Sequence, residues 1–324
     1  MTGQDPIIEV ENLSKNYNGF TAVNEVNFHI ERGEVFGFLG PNGAGKTTTI
    51  NMLTGLARIS AGKVKIMGED YTSHLKKAQK LMGIVPDESN LYDELSGWEN
   101  LCFCGALYGM EKAQREKEAS RLLHDFGLTE AASRSFQAYS KGMKRKLTIA
   151  AGIIHQPEIL FLDEPTTGID VASARQIRNL ITELNQRGTT IFLTTHYIEE
   201  AERLCSRLAF IVEGQIIRES PLEELMKEAQ RENVVHFSLE GNFYKLEEEF
   251  QAYFPDYRYE PQNDGRTINI HSSVSFNLLP FVQFFEERGI PVYEAKILRP
   301  SLEEVFVSVT GIELPKAEQQ QQQS

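Results

Sequence analysis

Val35-Phe36-Gly37-Phe38-Leu39 is a near-continuous apolar run, and Gly40-Pro41-Asn42-Gly43-Ala44-Gly45-Lys46-Thr47-Thr48 comes directly after it. The run reads as a strand covered on both faces, and the stretch after it as a phosphate loop leading into a helix that begins near Lys46. Gly40, Pro41, Asn42, Gly43, Ala44 and Gly45 let backbone N–H groups turn inward around an anion, and the helix N-terminus adds partial positive charge. Lys46 has the place of a bridge between β- and γ-phosphates, Thr47 that of a Mg2+ ligand, and Thr48 closes the motif. A plain glycine turn would not call for Lys-Thr at that offset.

Two further apolar runs, Ile159-Leu160-Phe161-Leu162 and Ile191-Phe192-Leu193, read as neighbouring central strands. Ligands of open α/β sheets collect at the carboxyl ends of such strands, so the residues at the end of each run should meet the loop. Asp163-Glu164 ends the first, and adjacent strand residues point to opposite sides. Asp163 is expected to hold Mg2+ through a water, and Glu164 to polarise the attacking water as general base. Thr194-Thr195-His196 ends the second, with His196 expected to donate a hydrogen bond to the γ-phosphate. The catalytic roles fall to Lys46, Glu164 and His196.

At 324 residues the chain exceeds the roughly 250 to 300 at which single cores stop growing, so a large domain plus a smaller one is expected. Hydrophobic residues at 41% and charged residues at 24% are the balance of an ordinary folded protein. The net charge of −13 argues against a nucleic-acid partner, whose phosphates need a basic stripe. Cys102, Cys104 and Cys205 lack zinc-site spacing and read as reduced thiols in a cytoplasmic setting. Met1 to Pro6 lacks the basic-then-apolar order of a secretory signal. No run approaches the ~18 apolar residues of a spanning helix, so any membrane role is expected to come from a partner.

Ile7–Val10 and Val26–Ile30 read as half-buried strands at an antiparallel edge. Residues 92–156 turn helical, with an amphipathic segment from Glu111 to Phe126, and read as an inserted lobe. A polar helix, Pro221 to Arg231, precedes a composition shift near Asn233. The order from there is strand (Val234–Leu239), helix (Tyr244–Phe254), strands (Tyr257–Glu260 and Thr267–His271), helix (Phe276–Glu287) and strand (Val292–Ile297), a split βαβ pattern. The expected class is α/β: a phosphate-loop NTPase core over 1–232, with antiparallel and helical subdomains, and a ferredoxin-like α+β domain over 233–314. Residues 315–324, with five glutamines, read as a disordered tail.

Tyr139-Ser140-Lys141-Gly142-Met143-Lys144-Arg145 precedes a helix with Leu147, Ala151 and Ile154 on one face. It resembles the signature motif of ATP-binding cassette ATPases, and the order of motifs over roughly Ile7 to Glu219 is similar to that family's. The resemblance implies that Tyr17 stacks on adenine and that Pro165-Thr166-Thr167-Gly168-Ile169-Asp170 links two sites across a dimer. It implies also that Ser140 and Gly142 of one subunit cap the γ-phosphate held by the other. Asp87, in Gly83-Ile84-Val85-Pro86-Asp87-Glu88, stands where the family usually has a glutamine that touches Mg2+. Lys141 and Met143 replace the usual glycine and glutamine of the signature.

The Ser-Lys-Gly-Met version resembles the drug- and lipid-exporting branch, and Leu298–Phe306 with Thr310-Gly311 resembles the closing segment of bacterial exporter subunits. Implied with it are ATP and Mg2+ as ligands, a homodimer, a separate transmembrane permease, and a place on the inner face of the cell membrane. The alternative is a soluble cassette ATPase of repair, translation or assembly, and neither a second cassette, a heptad array nor a basic surface supports it. A phosphate-loop kinase would leave Ser140-Lys141-Gly142 and His196 unexplained.

Overall fold

The computed structural model describes residues 6–229, 233–262, 265–272, 277–298 and 301–314. In chain order the first elements are β1 (Ile8–Tyr17), β2 (Phe20–Ile30), β3 (Val35–Leu39), α1 (Lys46–Leu53), β4 (Ala61–Ile66), β5 (Glu69–Asp70), α2 (Leu75–Ala78) and β6 (Met82–Val85). Three helices come next, α3 (Gly97–Leu107), α4 (Lys112–Asp125) and α5 (Lys141–Ile153). Then come β7 (Ile159–Asp163), α6 (Val171–Gln186), β8 (Thr190–Thr195), α7 (Ile198–Leu204), β9 (Arg207–Val212), β10 (Gln215–Pro221) and α8 (Leu222–Ala229). The last group is β11 (Asn233–Leu239), α9 (Glu247–Tyr253), β12 (Arg258–Pro261), β13 (Thr267–Ser272), α10 (Leu279–Glu287), β14 (Val292–Leu298) and α11 (Leu302–Thr310).

The chain divides into two compact units, Met1–Leu222 with Val309–Ser324, and Glu223–Ser308. In the first, a six-stranded sheet runs β10-β9-β3-β8-β7-β6. Its strands are parallel except β10, which is antiparallel to β9. Every residue of β3, β7 and β8 is buried, as their apolar runs require for strands covered on both faces. β1 and β2, read from sequence as an antiparallel edge, form a second sheet of order β2-β1-β4-β5. The reason is that β1 uses both its edges, pairing β2 on one side and β4 on the other. Phe28 joins the two sheets, stacked on Phe36 at 5.5 Å and edge-on to Phe38 at 5.0 Å.

α3, α4 and α5 lie between β6 and β7, within the stretch read as helical at 92–156. Ser96 and Glu99 cap α3 reciprocally, and buried Asn100 fixes the preceding turn by donating to Tyr92, Leu95 and Ser96 carbonyls. In the second unit the sheet order is β12-β13-β11-β14, all antiparallel, the arrangement a split βαβ pattern gives. Its core is phenylalanine-rich: Phe237, Phe243, Phe250, Phe281, Phe284 and Phe285 are each at most 2% exposed. Ser301 accepts from the Glu304 N–H at the start of α11, as the closing segment's Ser-x-x-Glu spacing suggests. The glutamine-rich end, Phe276, and Arg299 and Pro300 of that segment lie outside the described residues.

Candidate nucleotide site

The register of the central strands sets the site. Leu39 pairs with Thr195, and Asp163 with Thr194, so the ends of β3, β7 and β8 lie side by side. Gly40 N–H donates to the Thr195 carbonyl (3.3 Å), and Glu164 N–H to the Thr194 carbonyl (3.1 Å). A side chain at Gly40 would run into the Ile211 carbonyl of β9, which is why the loop must leave the strand through glycine. Gly45, at φ +101° and with Ala22 O only 2.7 Å from where a Cβ would stand, caps α1 in the left-handed region. Among the described residues, the N–H groups of Gly43, Gly45, Lys46, Thr47 and Thr48 have no protein acceptor. They form the open donor set that a helix start offers an anion.

Lys46, Glu164 and His196 meet here. Lys46, 5% exposed, donates through Nζ to the Gly40 (2.7 Å) and Pro41 (3.1 Å) carbonyls and lies 3.1 Å from Glu164 Oε1. The other oxygen, Oε2, accepts from His196 Nδ1 at 2.7 Å and from Thr167 Oγ1 at 3.2 Å. Burial pushes the Glu164 carboxyl up, but the His196 hydrogen bond and the Lys46 charge outweigh it and hold the carboxyl below its ordinary value. Glu164 is therefore a carboxylate, and His196 Nδ1 carries the proton it accepts. His196 Nε2 is buried without a hydrogen-bond partner, and Glu164 Oε1 has the ion pair but no hydrogen bond in good geometry. Glu164 also sits at φ +47°, a left-handed backbone that a glutamate rarely adopts, so the tight turn after β7 stores strain at this residue.

Asp163, the last residue of β7, accepts from Thr194 Oγ1 at 2.5 Å. The Thr47 side chain is exposed at the start of α1, with its hydroxyl in no hydrogen bond among the described residues. Asp87 lies just past β6. Partial burial raises its carboxyl, Arg145 opposes that, and the charges of Asp163 and Glu164 add to it. Among the described residues no three His, Cys, Asp or Glu side chains gather as a metal cage. That donor set of one hydroxyl and carboxylates on separate strand ends fits Mg2+, which takes one or two carboxylates and fills its shell with water and phosphate.

Ser140 and Gly142 lie in a different cluster. Ser140 caps α5, accepting from Met143 N–H at 3.2 Å. Gly142 is needed for close approach: a Cβ there would stand 2.6 Å from Ser173 Cβ and 3.8 Å from Asp170 Oδ2. Asp170 in turn caps α6 through Ser173 N–H at 2.9 Å. Among the described residues no hydrogen bond or ion pair joins Ser140 or Gly142 to residues 40–48. Tyr17 ends β1, 46% exposed, with Lys15 Nζ 4.5 Å from its ring centroid and a second exposed aromatic, Phe20, paired opposite.

Sequence reading gave no role to Arg145. Buried in α5, it donates to four carbonyls: Nε to Pro165 (2.8 Å), Nη2 to Asp163 (2.6 Å), Nη1 to Asp87 (3.0 Å) and, closer still, to Pro86. Burial pulls the guanidinium below its ordinary value, opposed by Asp87, Glu200, Asp163 and Glu164. One side chain of the signature helix thereby holds the ends of β6 and β7 together.

A family model described as ABC transporter matches residues 23–167. Over 235 residues the chain is 38% identical to the linearmycin resistance ATP-binding protein LnrL of Bacillus subtilis (strain 168), spanning 72% of this chain and 76% of that one. The chain belongs to the ABC transporter ATP-binding family. As a member it is an ATP-binding, ATP-hydrolysing subunit with a phosphate-loop α/β core. It is 41% identical to the Nod factor export ATP-binding protein I of Ralstonia nicotianae (strain ATCC BAA-1114 / GMI1000), over 69% of this chain and 70% of that one. A dimeric ATP-binding cassette solved in a post-hydrolysis state with ADP and Pi superimposes with a TM-score of 0.62 at 27% identity, covering 66% of this chain and 98% of that one. Among the described residues no helix of this ABC subunit is long and apolar enough to cross a membrane.

Proposed function

We propose that this chain hydrolyses MgATP in sites shared by two copies of itself, and that closing and reopening of the pair drives export through a separate transmembrane permease. One observation supports the shared site: among the described residues no hydrogen bond or ion pair joins Ser140 or Gly142 to residues 40–48. A second copy supplies the missing cap, with the open N–H groups of the first turn of α5 aimed at the γ-phosphate. Asp170, beside Gly142, couples that turn to the start of α6.

Within each copy, phosphate oxygens compete with Glu164 Oε1 for the Lys46 ammonium. Losing that partner removes a charge that holds the carboxyl down, so Glu164 becomes a better base as substrate binds. His196 donates a ring N–H to the γ-phosphate oxygen that gains charge. Thr47, Asp163 and Asp87 would hold Mg2+, which would neutralise charge on the phosphates. Tyr17 offers its exposed ring to adenine. The relatives named for linearmycin resistance and Nod factor export support export over import, and with it a cytoplasmic place at the inner face of the membrane. No nucleic-acid partner enters the cycle.

Turnover per chain should rise with chain concentration at saturating ATP and then level off, because a lone chain lacks the cap. Turnover that stays constant on dilution to fully monomeric chain would overturn the shared site.

A further inference from the structure

The sheet of the second unit ends in two edge strands that differ in kind. β12 has four residues and closes on Pro261, which cannot donate to a neighbouring strand. β14, Val292-Tyr293-Glu294-Ala295-Lys296-Ile297-Leu298, has seven residues and no proline, and β11 occupies only one of its sides. Edge strands of that length are usually covered or blunted, because their unpaired N–H and C=O groups template another chain. Here Tyr293 is 71% and Ile297 49% exposed, two large apolar side chains left at the margin of the sheet.

The order of residues on β14 is self-complementary. Placed antiparallel to an identical strand with a two-fold axis at Ala295, Glu294 faces Lys296 of the second copy, and Lys296 faces Glu294 of the second copy. Tyr293, at the bulge, lies outside that regular register. Opposite charges directly across an antiparallel pair stabilise it, and like charges destabilise it. Glu294 and Lys296 are both exposed, and among the described residues neither has an ion-pair partner. A bulge at Tyr293 interrupts the β11 ladder between Ser238 and Leu239 but leaves Glu294 to Leu298 in regular register.

We propose that β14 is a docking strand for β14 of a second copy of this chain, joining two four-stranded sheets into one continuous sheet. The contact is independent of nucleotide. A seven-residue strand pair is small beside a standard interface, so it serves as a second link that raises the effective concentration of one cassette for the other.

The test is sedimentation of the full-length chain without nucleotide, comparing the parent with Glu294→Lys, Lys296→Glu and the double reversal. Both positions are exposed, so folding is not at stake. Each single reversal turns two attractive cross-strand pairs into two repulsive ones and should weaken the dimer about tenfold. The double reversal should restore it, and so should an equimolar mixture of the two single variants, in which every pair is again opposite in sign. A parent chain that stays monomeric to about millimolar concentration, single variants that dimerise like the parent, or a double reversal that restores nothing would each overturn the proposal. None of these outcomes depends on ATP, so the shared nucleotide site stands or falls separately.

Discussion

Replacing Arg145 by methionine keeps the length of the side chain and removes every donor. Four carbonyls lose a partner, and those of Asp163 and Pro165 are buried where water does not reach. An unsatisfied buried acceptor costs about 1–3 kcal/mol, and relief of the guanidinium's own desolvation returns part of that, so the net loss is about 3 kcal/mol. For a unit of this size that is a fall of roughly 6–12 °C in melting temperature. The effect on chemistry should exceed the effect on binding, since Asp163 and Asp87 lose their tether while Lys46 and the phosphate loop do not. Misplacement of reacting groups by about 1 Å costs on the order of a hundredfold in rate. Calorimetry and steady-state ATPase assays read both: kcat should drop at least about tenfold with nucleotide affinity nearly unchanged. Arg145→Lys, with one charge but no fork, should fall between. A methionine variant that melts within about 1 °C of the parent and turns over normally would refute the clasp.

Two other substitutions probe neighbouring groups. His196→Ala removes the donor opposite the γ-phosphate and should cost about 3 kcal/mol in kcat, on the order of a hundredfold, while retaining ATP binding; equal losses in both would show a merely structural histidine. Glu200 is 1% exposed, and burial raises its carboxyl from 4.5 to about 7 despite a hydrogen bond from Thr166. Because the folded chain holds the proton more tightly than the unfolded one, stability falls as pH rises from about 4.5 to about 7, by roughly 3 kcal/mol in all. Glu200→Gln should abolish that slope, making the variant the more stable chain at about pH 8 and not at about pH 5. Denaturant unfolding at the two pH values with identical slopes for parent and variant would contradict it.

The phosphate cluster was legible because its chemistry demands particular residue types at fixed short spacings, and because buried strands announce their carboxyl ends. Lys46, Asp163, Glu164 and His196 could be named before their neighbours were known. The pairing of Glu164 with both Lys46 and His196 could not, since it depends on the register of β7 and β8. Arg145 escaped for a different reason. Its partners are backbone carbonyls, which leave no mark in a sequence, although a cation three and four residues before buried Thr148 and Ile149, on one helix face, was a usable signal. β4 went unread because Lys63 and Lys65 alternate with Val64 and Ile66 over only six residues, a weak strand signal beside β1.

The shared site is tested most directly by sedimentation of Glu164→Gln with MgATP, at concentrations low enough that the nucleotide-free chain is monomeric. Without the base, hydrolysis stalls, and closed pairs should accumulate as dimer. Adding Ser140→Arg to the same chain blocks the cap and should return it to the dimer content seen without nucleotide, while the affinity of each chain for ATP is unchanged. A Glu164→Gln chain whose dimer content ignores saturating ATP, or one that dimerises with ATP equally well with arginine at position 140, would contradict the account.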